Sequence, residues 1–440
     1  MEVKFAVYTL GCKVNQYESE AIAEELLRAG LVQVAFEEMA DIYLVNTCSV
    51  TAEGERKVRQ IIRRAHKNNP TASIIVTGCY AQVDGDRLAE LPGVRFVCGN
   101  LRKMRAAEVA LSIADGSFTD ESATVEVPSL TGADFEPMTI RRSERTRAYL
   151  KIEDGCESRC AYCIIPRARG PIRSKPMVEV VEEARALVNA GYREIVLTGI
   201  EISAYGKDLP ETLPDLLHAL DNLPGLERIR LGSLDPSLLT PAYTEGLKDI
   251  RHLAHHFHLS LQSGCDRTLN AMRRRYNTAM VRRNVDALRA AFPDACFTAD
   301  VIVGFPGETE EDFQNTAAFI GSLDLLDCHI FPYSIRPGTE AATMGGQLPG
   351  DVKEARVHAL EAVIAESHQR VLTAQVGKIL PVLFEEERDG LSIGHTASFL
   401  EVAIPSNASL HGQILAVKLT AILDNRLTGE IVPSVDTQIH

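Results

Sequence analysis

The sequence is poor in positive charge, in long apolar runs and in any secretion signal, and each shortage excludes a class of protein. Its 46 Lys and Arg residues face 60 Asp and Glu residues, and the net charge of −14 argues against a general nucleic-acid binder. No apolar run approaches the ~20 residues that span a bilayer, and the N-terminal MEVKFAVYTLGCKVNQ lacks the apolar core of a signal peptide. We therefore expect a protein without a membrane segment, located in the reducing cytoplasm.

What the chain does have is length and thiols. Its 440 residues are enough for two or three domains, each with its own core. Ten cysteines in a chain without a secretion signal indicate thiol or metal chemistry rather than a disulfide framework.

The positive charge that is present is concentrated in two segments. Between Arg141 and Lys175, ten Lys or Arg stand against four Asp or Glu, which leaves a local charge of +6. The second segment, ERKVRQIIRRAHK, has a helical period. We expect its core face to comprise Val58, Ile61, Ile62 and Ala65 and its exposed face to comprise Arg56, Arg59, Arg63 and Lys67. A solvated helix face is the simpler interpretation, and a nucleic-acid-binding face is the alternative.

The order of apolar runs and helical patterns divides the chain into three regions and a linker. Residues 1–115 alternate short strands with helices, which predicts a doubly wound parallel α/β domain. Residues 116–139 lack periodicity and are predicted as a linker. Residues 140–371 carry six longer strand–helix units, which fit a partial TIM-type (βα)6 barrel. Residues 372–440 alternate in the manner of a small antiparallel β-barrel.

Three cysteines of the first region occupy the same topological position. Cys12, Cys48 and Cys79 each follow an apolar strand, namely VKFAVYTL, IYLVN and SIIVT. Because parallel α/β sheets place their ligand crevice beyond the carboxyl ends of the strands, we expect these thiols to converge. A small buried thiol is the ordinary alternative for any cysteine. Cys98, at the end of RFVCG, is a candidate fourth ligand, but we predict a core position for it on an edge strand.

The stretch CESRCAYC carries three more cysteines, Cys156, Cys160 and Cys163, after the strand AYLKI. Active sites of TIM-type barrels lie at this end of the strands. A structural metal site normally takes four protein ligands, and here the fourth is missing. An iron–sulfur cluster on three thiolates leaves one iron open for another ligand, so the pattern favours such a cluster.

This C-x3-C-x2-C spacing resembles the radical S-adenosylmethionine (SAM) enzymes, in which SAM binds the open iron. The resemblance implies a 4Fe–4S cluster on Cys156, Cys160 and Cys163 that cleaves SAM to a 5′-deoxyadenosyl radical. Four strand ends in order, LTGIE, RIRLGSLDP, LQSG and VIVGFPGET, resemble the SAM-contacting motifs of these enzymes. The SAM-binding residues implied are Gly199, Glu201, Ser233, Asp235, Gln262, Val303 and Gly304. Alone, each motif is a turn or helix cap, and Thr309 is predicted to cap a helix with an acidic first turn.

The whole chain resembles the tRNA methylthiotransferases, which join a three-cysteine N-terminal domain, a radical SAM barrel and a C-terminal TRAM domain. TLGCKVNQYESE, CIIPRARGPIRS and FPYSIRPGT resemble the branch that converts N6-threonylcarbamoyladenosine at position 37 of tRNA into its 2-methylthio form. GHTASFLEV resembles the TRAM core motif. The resemblance implies a second 4Fe–4S cluster on Cys12, Cys48 and Cys79 that carries the sulfur. It also implies a monomer with two partners, tRNA and a low-potential electron donor, and we expect the basic helix face to contact the tRNA.

Other functions are compatible with parts of this pattern. A methylthiotransferase acting on isopentenyladenosine in tRNA would show a motif nearer YGCQMN after the first strand, and one acting on a ribosomal-protein aspartate would show LGCPKN. A non-enzymatic Fe–S protein that binds nucleic acid would have fully ligated clusters and no need of SAM motifs. The remaining thiols, Cys265, Cys296 and Cys328, are predicted to lie in the core, although Cys265 follows a strand end and could approach the active site.

Overall fold

The computed structural model describes residues 2–120 and 122–433. It consists of an N-terminal α/β domain, a central domain of parallel strands and a C-terminal closed sheet. Residues 434–440 of the predicted C-terminal barrel lie outside the described residues.

The N-terminal domain is built on a sheet of six parallel strands: β1 (Lys4–Thr9), β2 (Val32–Gln33), β3 (Ile42–Thr47), β4 (Ser73–Gly78), β5 (Val94–Cys98) and β6 (Thr124–Glu126). Their order is β2-β1-β3-β4-β5-β6, and the direction of winding reverses between β1 and β3. Every residue of β3 is buried, as expected for a parallel strand covered on both faces. The sheet is therefore doubly wound, as the sequence predicts.

Four helices cover the two faces of this sheet: α1 (Lys13–Arg28), α2 (Ala52–Asn68), α3 (Cys79–Ala89) and α4 (Arg105–Ala114). Apolar residues of α1 and α4 pack into one core and those of α2 and α3 into another. The Thr51 side chain caps α2 by accepting a hydrogen bond from the Gly54 amide at 3.0 Å. Val58, Ile62 and Ala65 of this helix are buried as predicted, whereas Ile61 is only half-buried.

The segment predicted as a linker, residues 116–139, contributes β6 to the sheet. Its three residues pair in parallel with β5, from Phe96–Thr124 to Cys98–Glu126. A strand of three residues is too short to show a periodic pattern in the sequence, which explains why it was not predicted.

The central domain contains nine strands: β7 (Ala148–Lys151), β8 (Glu153–Asp154), β9 (Arg173–Ser174), β10 (Glu194–Thr198), β11 (Arg228–Leu231), β12 (Ser233–Leu234), β13 (His256–Gln262), β14 (Cys296–Val303) and β15 (Asp327–Pro332). β7, β10 and β11 form one parallel sheet, and β12 to β15 form a second. A parallel bridge between Ile229 and Leu253 extends β11 toward the second sheet. β8 and β9 form a separate antiparallel pair. Neighbouring parallel strands thus follow chain order, as in an open (βα) barrel.

The helices of the central domain are α5 (Ile165–Arg169), α6 (Met177–Asn189), α7 (Leu213–Asp221), α8 (Pro241–Leu247), α9 (Asp266–Ala271), α10 (Thr278–Ala291), α11 (Glu310–Gly321) and α12 (Gly350–Thr373). Short 3-10 helices cover Ile202–Ala204, Pro236–Leu238 and Glu340–Thr343. Thr309 caps α11, and Asp312 completes a reciprocal capping box, so the predicted cap is confirmed.

The C-terminal sheet has five strands: β16 (Ile379–Arg388), β17 (Leu391–Thr396), β18 (Glu401–Pro405), β19 (Ile414–Leu423) and β20 (Arg426–Ile431). They join in the closed order β16-β17-β18-β20-β19. Four pairings are antiparallel, but β18 and β20 are parallel, so the prediction of a purely antiparallel sheet is wrong. The reason is geometric: five strands cannot close a ring in which every neighbour runs in the opposite direction.

The closed sheet packs against the amino ends of the central strands through Phe399. Its ring stacks on His256, the first residue of β13, at 4.6 Å between centroids. The guanidinium groups of Arg147 and Arg230 lie 5.2 and 5.1 Å from the same ring. Arg230 also donates hydrogen bonds to the carbonyls of Thr396 and Ala397. Within the described ranges, no helix combines the length and apolar character required to cross a bilayer.

Candidate active site at two cysteine triads

Cys156, Cys160 and Cys163, hereafter the barrel cysteines, lie in the loop between β8 and α5. All three are half-buried, and they line one cavity of about 1150 Å³. Glu201, which follows β10, lines the same cavity. The structure therefore brings the barrel cysteines together at the carboxyl end of the central strands, as predicted, beside space for a cofactor-sized ligand.

The surroundings of Cys156 and Cys163 do not stabilise free thiolates. Burial raises the pKa of Cys163 to about 12 and also raises that of Cys156. Arg274 Nη1 donates to Cys160 Sγ at 3.2 Å. Because a bound metal deprotonates a coordinating thiol outright, these residues fit a metal centre better than a nucleophilic cysteine.

Two carboxylates lie near the barrel cysteines, that of Glu153, which is buried, and that of Glu201, which is half-buried. Glu153 Oε2 accepts hydrogen bonds from the amides of Ile200 and Glu201, both at 2.8 Å, while its buried Oε1 has no hydrogen-bond partner among the described residues. Burial, helped by the Asp235 charge, raises the pKa of Glu201 to about 7. Gly199 allows the Glu153 carboxylate to lie close to the backbone, because a Cβ at this position would lie 2.6 Å from Glu153 Oε2. Burial also raises the pKa of Glu153 well above its usual range, so a cationic ligand group beside the pair would stabilise the charged forms of both carboxylates.

The second strand-end motif, RIRLGSLDP, has a partly structural role. Asp235 Oδ1 accepts hydrogen bonds from the amide and hydroxyl of Ser237, and its Oδ2 lies 2.7 Å from Arg274 Nη2. Both carboxylate oxygens are therefore already bonded. Ser233 is half-buried and is the freer of the two predicted ribose contacts.

The last predicted SAM residues differ in what they can offer a ligand. Gln262 is half-buried with a positive φ of 62°, a conformation uncommon for a side chain of its kind. Gly304 has a φ of 73°, and a Cβ there would lie 2.5 Å from Lys353 Cγ. Val303 is fully buried in the main core, so its side chain faces the helices. The inward residue of this strand is Ile302, which packs beside the cysteine loop with Ala161.

Cys12, Cys48 and Cys79, hereafter the N-terminal cysteines, follow β1, β3 and β4. Their charges act on one another: both other thiols contribute to the raised pKa of Cys48, to about 12, although burial contributes most. Gly11 and Gly78, which precede two of them, both have positive φ, and a Cβ on Gly11 would lie 3.1 Å from Cys48 Cβ. The predicted convergence is therefore seen.

A set of salt-bridged side chains, hereafter the buried ion network, joins the two triads across the domain interface. Arg169, fully buried in α5, donates from Nε to Cys79 Sγ at 3.3 Å and from Nη1 to Glu18 at 2.6 Å. Its Nη1 also lies 3.1 Å from Asp154, two residues before Cys156. The complete network comprises Glu18, Lys103, Lys151, Asp154, Arg169 and Arg173.

The charges of the buried ion network are not balanced. Four cationic side chains surround two carboxylates, Glu18 and Asp154. Burial alone would raise the pKa of Glu18, but the charges of Arg169, Lys103 and Lys151 hold it well below its usual range. The surplus positive charge lies next to Cys79, where it favours an anionic ligand set.

The two basic segments differ from the sequence-based expectation. Lys151, Arg169, Arg173 and Lys175 are buried in ion pairs, so much of the segment from Arg141 to Lys175 offers no charge to solvent. On α2, the exposed side chains include Arg56, Arg63 and Lys67, while Arg59 is half-buried and donates to the Tyr80 hydroxyl at 3.0 Å. Arg56 is paired with Glu53. Sequence reasoning missed the network because charge counts do not show pairing across 151 residues of chain.

The remaining cysteines are core thiols. Cys98, Cys296 and Cys328 are buried. Burial raises the pKa of Cys98 to about 12, although the Thr77 hydrogen bond and the Lys103 charge act in the opposite direction, and none of the N-terminal cysteines contributes to this shift. Cys265 is also buried, with its thiol 3.3 Å from Asp312 at the start of α11.

Comparison with known proteins identifies two regions of the chain. Residues 4–99 match the family model described as uncharacterized protein family UPF0004, and residues 150–320 match the radical SAM superfamily. Among solved structures, the cobalamin-binding radical SAM methyltransferase TsrM from Kitasatospora setae has a TM-score of 0.56 at 18% identity, covering 78% of this chain and 77% of its own. The fold and the barrel cysteines thus define a radical SAM protein.

Full-length relatives narrow the class. The threonylcarbamoyladenosine tRNA methylthiotransferase MtaB of Bacillus subtilis is 38% identical, covering 99% of this chain and 97% of its own. MtaB of Thermotoga maritima is 40% identical over 86% of each chain. The tRNA-2-methylthio-N(6)-dimethylallyladenosine synthase of Aquifex aeolicus is 32% identical over 98% of this chain and 99% of its own. The chain belongs to the MtaB family of tRNA methylthiotransferases.

Proposed function

We propose that the protein converts N6-threonylcarbamoyladenosine at position 37 of tRNA into 2-methylthio-N6-threonylcarbamoyladenosine. The names of its full-length relatives support the reaction and the substrate. The observation that carries most weight is the presence of two three-cysteine sites, each without a fourth thiol, joined by one buried ion network. One site alone would serve SAM cleavage, whereas sulfur insertion requires a second.

The residues present fit two 4Fe–4S clusters. The barrel cysteines would hold one, beside a cavity large enough for SAM, and the N-terminal cysteines would hold the other. When bound, the first cluster supplies the electron for reductive cleavage of SAM, and the second supplies the sulfur. The carbon–hydrogen bond at C2 of adenine is not acidic, so acid–base catalysis cannot activate it. The side chains therefore serve to bind and orient SAM and the substrate.

The carboxylates beside the barrel cysteines would orient SAM. Glu153 Oε1, buried without a partner, and Glu201, whose pKa burial raises to about 7, both gain by facing the SAM ammonium. Gly199 keeps the backbone close to Glu153. Ser233 and Gln262 remain the candidates for polar contacts to SAM, while Gly304 and the side chain of Ile302 are suited to its adenine. The Val303 side chain is buried in the core and cannot make the predicted contact with SAM.

The buried ion network would support the N-terminal site. Cysteine thiolates that bind a cluster are anionic, and the network presents surplus positive charge with Arg169 in contact with Cys79. Because Arg169 also bonds Asp154 near Cys156, the same side chain would hold the two sites in a fixed relation.

The tRNA would approach across α2. The exposed basic residues of α2 follow Cys48 in the chain. Glu55 of this helix pairs with Arg336 from the central domain. We propose that the C-terminal closed sheet is the TRAM domain implied by its GHTASFLEV motif. We further propose a cytoplasmic monomer that takes electrons from a low-potential donor.

The experiment is nucleoside mass spectrometry. Anaerobically reconstituted protein would be incubated with SAM, reductant, sulfide and tRNA from a strain that lacks the 2-methylthio modification. We expect 2-methylthio-N6-threonylcarbamoyladenosine to appear and isopentenyladenosine to remain unmodified. Product only on isopentenyladenosine, or on neither nucleoside, would refute the assignment.

A further inference from the structure

The cavity at the barrel cysteines is larger than SAM alone requires. Its volume is about 1150 Å³, whereas small-molecule sites typically measure ~300–1,000 Å³. Gln82 of the N-terminal domain and residues 129–131, which precede β7, line it together with the central domain. The cavity therefore lies between the two domains and has room for a nucleobase beside SAM.

Three exposed cations line this cavity: Arg167, Lys207 and Arg275. They belong to different parts of the central domain, namely α5, the loop before α7 and the loop between α9 and α10. No carboxylate of the described residues lies within 4.0 Å of any of these three charged groups. Arg274, which directly precedes Arg275, is by contrast paired with Asp235 at 2.7 Å. The three cations are therefore available to a ligand.

The carboxylates of the cavity do not neutralise these cations. Three of them line it, Glu157, Glu201 and Glu340, and Glu340 is already paired with Arg273 at 2.7 Å. Arg159 is a further exposed cation of the lining. The lining thus carries more positive than negative charge, although the whole chain has a net charge of −14. Such a local excess attracts an anionic ligand.

Arg167 is held in place at the mouth of the cavity. Its Nη1 donates a hydrogen bond to the Pro337 carbonyl at 3.4 Å. Gly338 makes this approach possible, because it has a φ of 84° and a Cβ there would lie 1.9 Å from the same Nη1. The motifs CIIPRARGPIRS and FPYSIRPGT therefore meet at this guanidinium. Its other N–H groups donate no hydrogen bond to the described residues, and their planar fork matches the geometry of a phosphate.

SAM does not account for all of these cations. It has a single carboxylate, which needs one cationic partner at most. An enzyme that acts on a base takes that base out of its stack, and the phosphates on either side of the nucleotide remain outside the pocket. Three unpaired cations at the mouth of one cavity therefore suit a nucleic-acid backbone better than a small molecule.

We propose that Arg167, Lys207 and Arg275 bind the backbone phosphates on either side of the nucleotide whose base enters the cavity. This inference rests on the proposed function, under which that base belongs to nucleotide 37 of tRNA. The contact is made to the single-stranded loop itself, so a short single-stranded RNA should retain it without the rest of the tRNA.

The test measures how binding of such an RNA depends on salt. The RNA has the anticodon-loop sequence with N6-threonylcarbamoyladenosine at position 37, and binding to the reconstituted protein is followed by fluorescence anisotropy. SAM is omitted, so the loss of a SAM contact cannot affect the result. Changing all three cations to Gln should flatten the log–log salt dependence by about 2, since each phosphate of a single strand contributes ~0.7. It should also weaken binding at low salt by roughly tenfold or more.

Two further triple variants separate a phosphate contact from other effects. Arg167→Lys, Lys207→Arg and Arg275→Lys together keep the charges and should keep the wild-type slope. Arg185→Gln, Lys248→Gln and Arg283→Gln together are the matched control, since they remove the same charge from exposed positions outside the cavity. This control should keep both the wild-type slope and the methylthiolation rate.

Two results would overturn the inference: a wild-type slope in the Gln variant of the cavity, or an equal flattening in the matched control. Iron content is measured for every variant. If the triple Gln variant loses iron, the three single Gln variants decide, each with an expected flattening of ~0.7. If wild type methylthiolates the tRNA but the cavity variants keep its slope, only this inference fails. If wild type does not methylthiolate the nucleoside at all, the proposed function fails.

Discussion

Replacing Glu18 by Gln should show how much the buried ion network contributes to the stability of the fold. Glu18 is fully buried and bonds Lys103, Lys151 and Arg169, which come from both domains. Gln keeps the shape of the side chain but removes its charge. Lys151 and Arg169 would then share the carboxylate of Asp154, whereas Lys103 would lose its carboxylate partner.

The expected cost is large because the site is closed to water. Removing one partner of a buried ion pair typically costs about 3–5 kcal/mol, and Gln should fall at the lower end because it can still accept a hydrogen bond. Spread over the unfolding entropy of two domains of this size, about 3 kcal/mol corresponds to a fall in Tm of roughly 4 °C.

The dependence on pH provides an independent signature. The folded-state pKa of Glu18 lies well below its unfolded value of about 4.3. Its charge therefore stabilises the fold above that pH, and the contribution is lost as pH falls toward the folded-state pKa. The difference in Tm between wild type and Glu18→Gln should be full at pH 7 and should shrink below about pH 4.

Anaerobic scanning calorimetry of the metal-free proteins is the appropriate assay. Glu37→Gln is the control, because the Glu37–Arg64 pair is 60% and 48% exposed, and a surface pair contributes at most about 1 kcal/mol. A Tm of Glu18→Gln equal to that of Glu37→Gln would show that the network does not stabilise the domain interface.

Three further predictions concern the clusters and the tRNA. Replacing all three barrel cysteines by Ala should lower the iron content from about eight to about four per chain and abolish SAM cleavage, and full iron content would contradict the ligand assignment. Replacing all three N-terminal cysteines by Ala should leave SAM cleavage intact and eliminate sulfur insertion; loss of cleavage in a folded variant would mean that the two sites do not divide the work. Changing Arg56, Arg63 and Lys67 to Gln should weaken tRNA binding about tenfold at low salt and flatten the log–log salt dependence by ~2–3, whereas Lys248→Gln should change neither. An unaltered salt slope would identify the α2 face as merely solvated.

The parts of the structure that the sequence predicts well depend on local periodicity. Strand–helix alternation placed Cys12, Cys48 and Cys79 beyond three parallel strands, and the structure brings them together there. The apolar face of α2 and the Thr309 cap also follow from short-range patterns. These features depend only on residues that are close in sequence, within one helical turn or next to one another in a strand.

The parts that the sequence does not predict depend on distant partners. Arg169 belongs to a basic segment and has the composition of an RNA contact, yet it is buried against Glu18 from another domain. Val303 and Ile302 are chemically alike, and only the pairing of β14 with its neighbours decides which faces the inner space. The parallel pairing of β18 with β20 follows from ring closure, a property of the whole sheet.

Phe399 makes the C-terminal sheet part of the wall of the central domain rather than a detachable accessory. Its ring covers His256 and two arginines at the amino ends of the strands, and its backbone φ of 70° is one that few side chains adopt. Deleting residues from 372 onward would therefore open that end of the domain to water as well as remove any contact that the closed sheet makes with RNA. A truncated protein that loses activity would not reveal which of these two losses was responsible. Point changes on the outer strands of the closed sheet, with Phe399 left in place, would isolate its contribution to RNA binding.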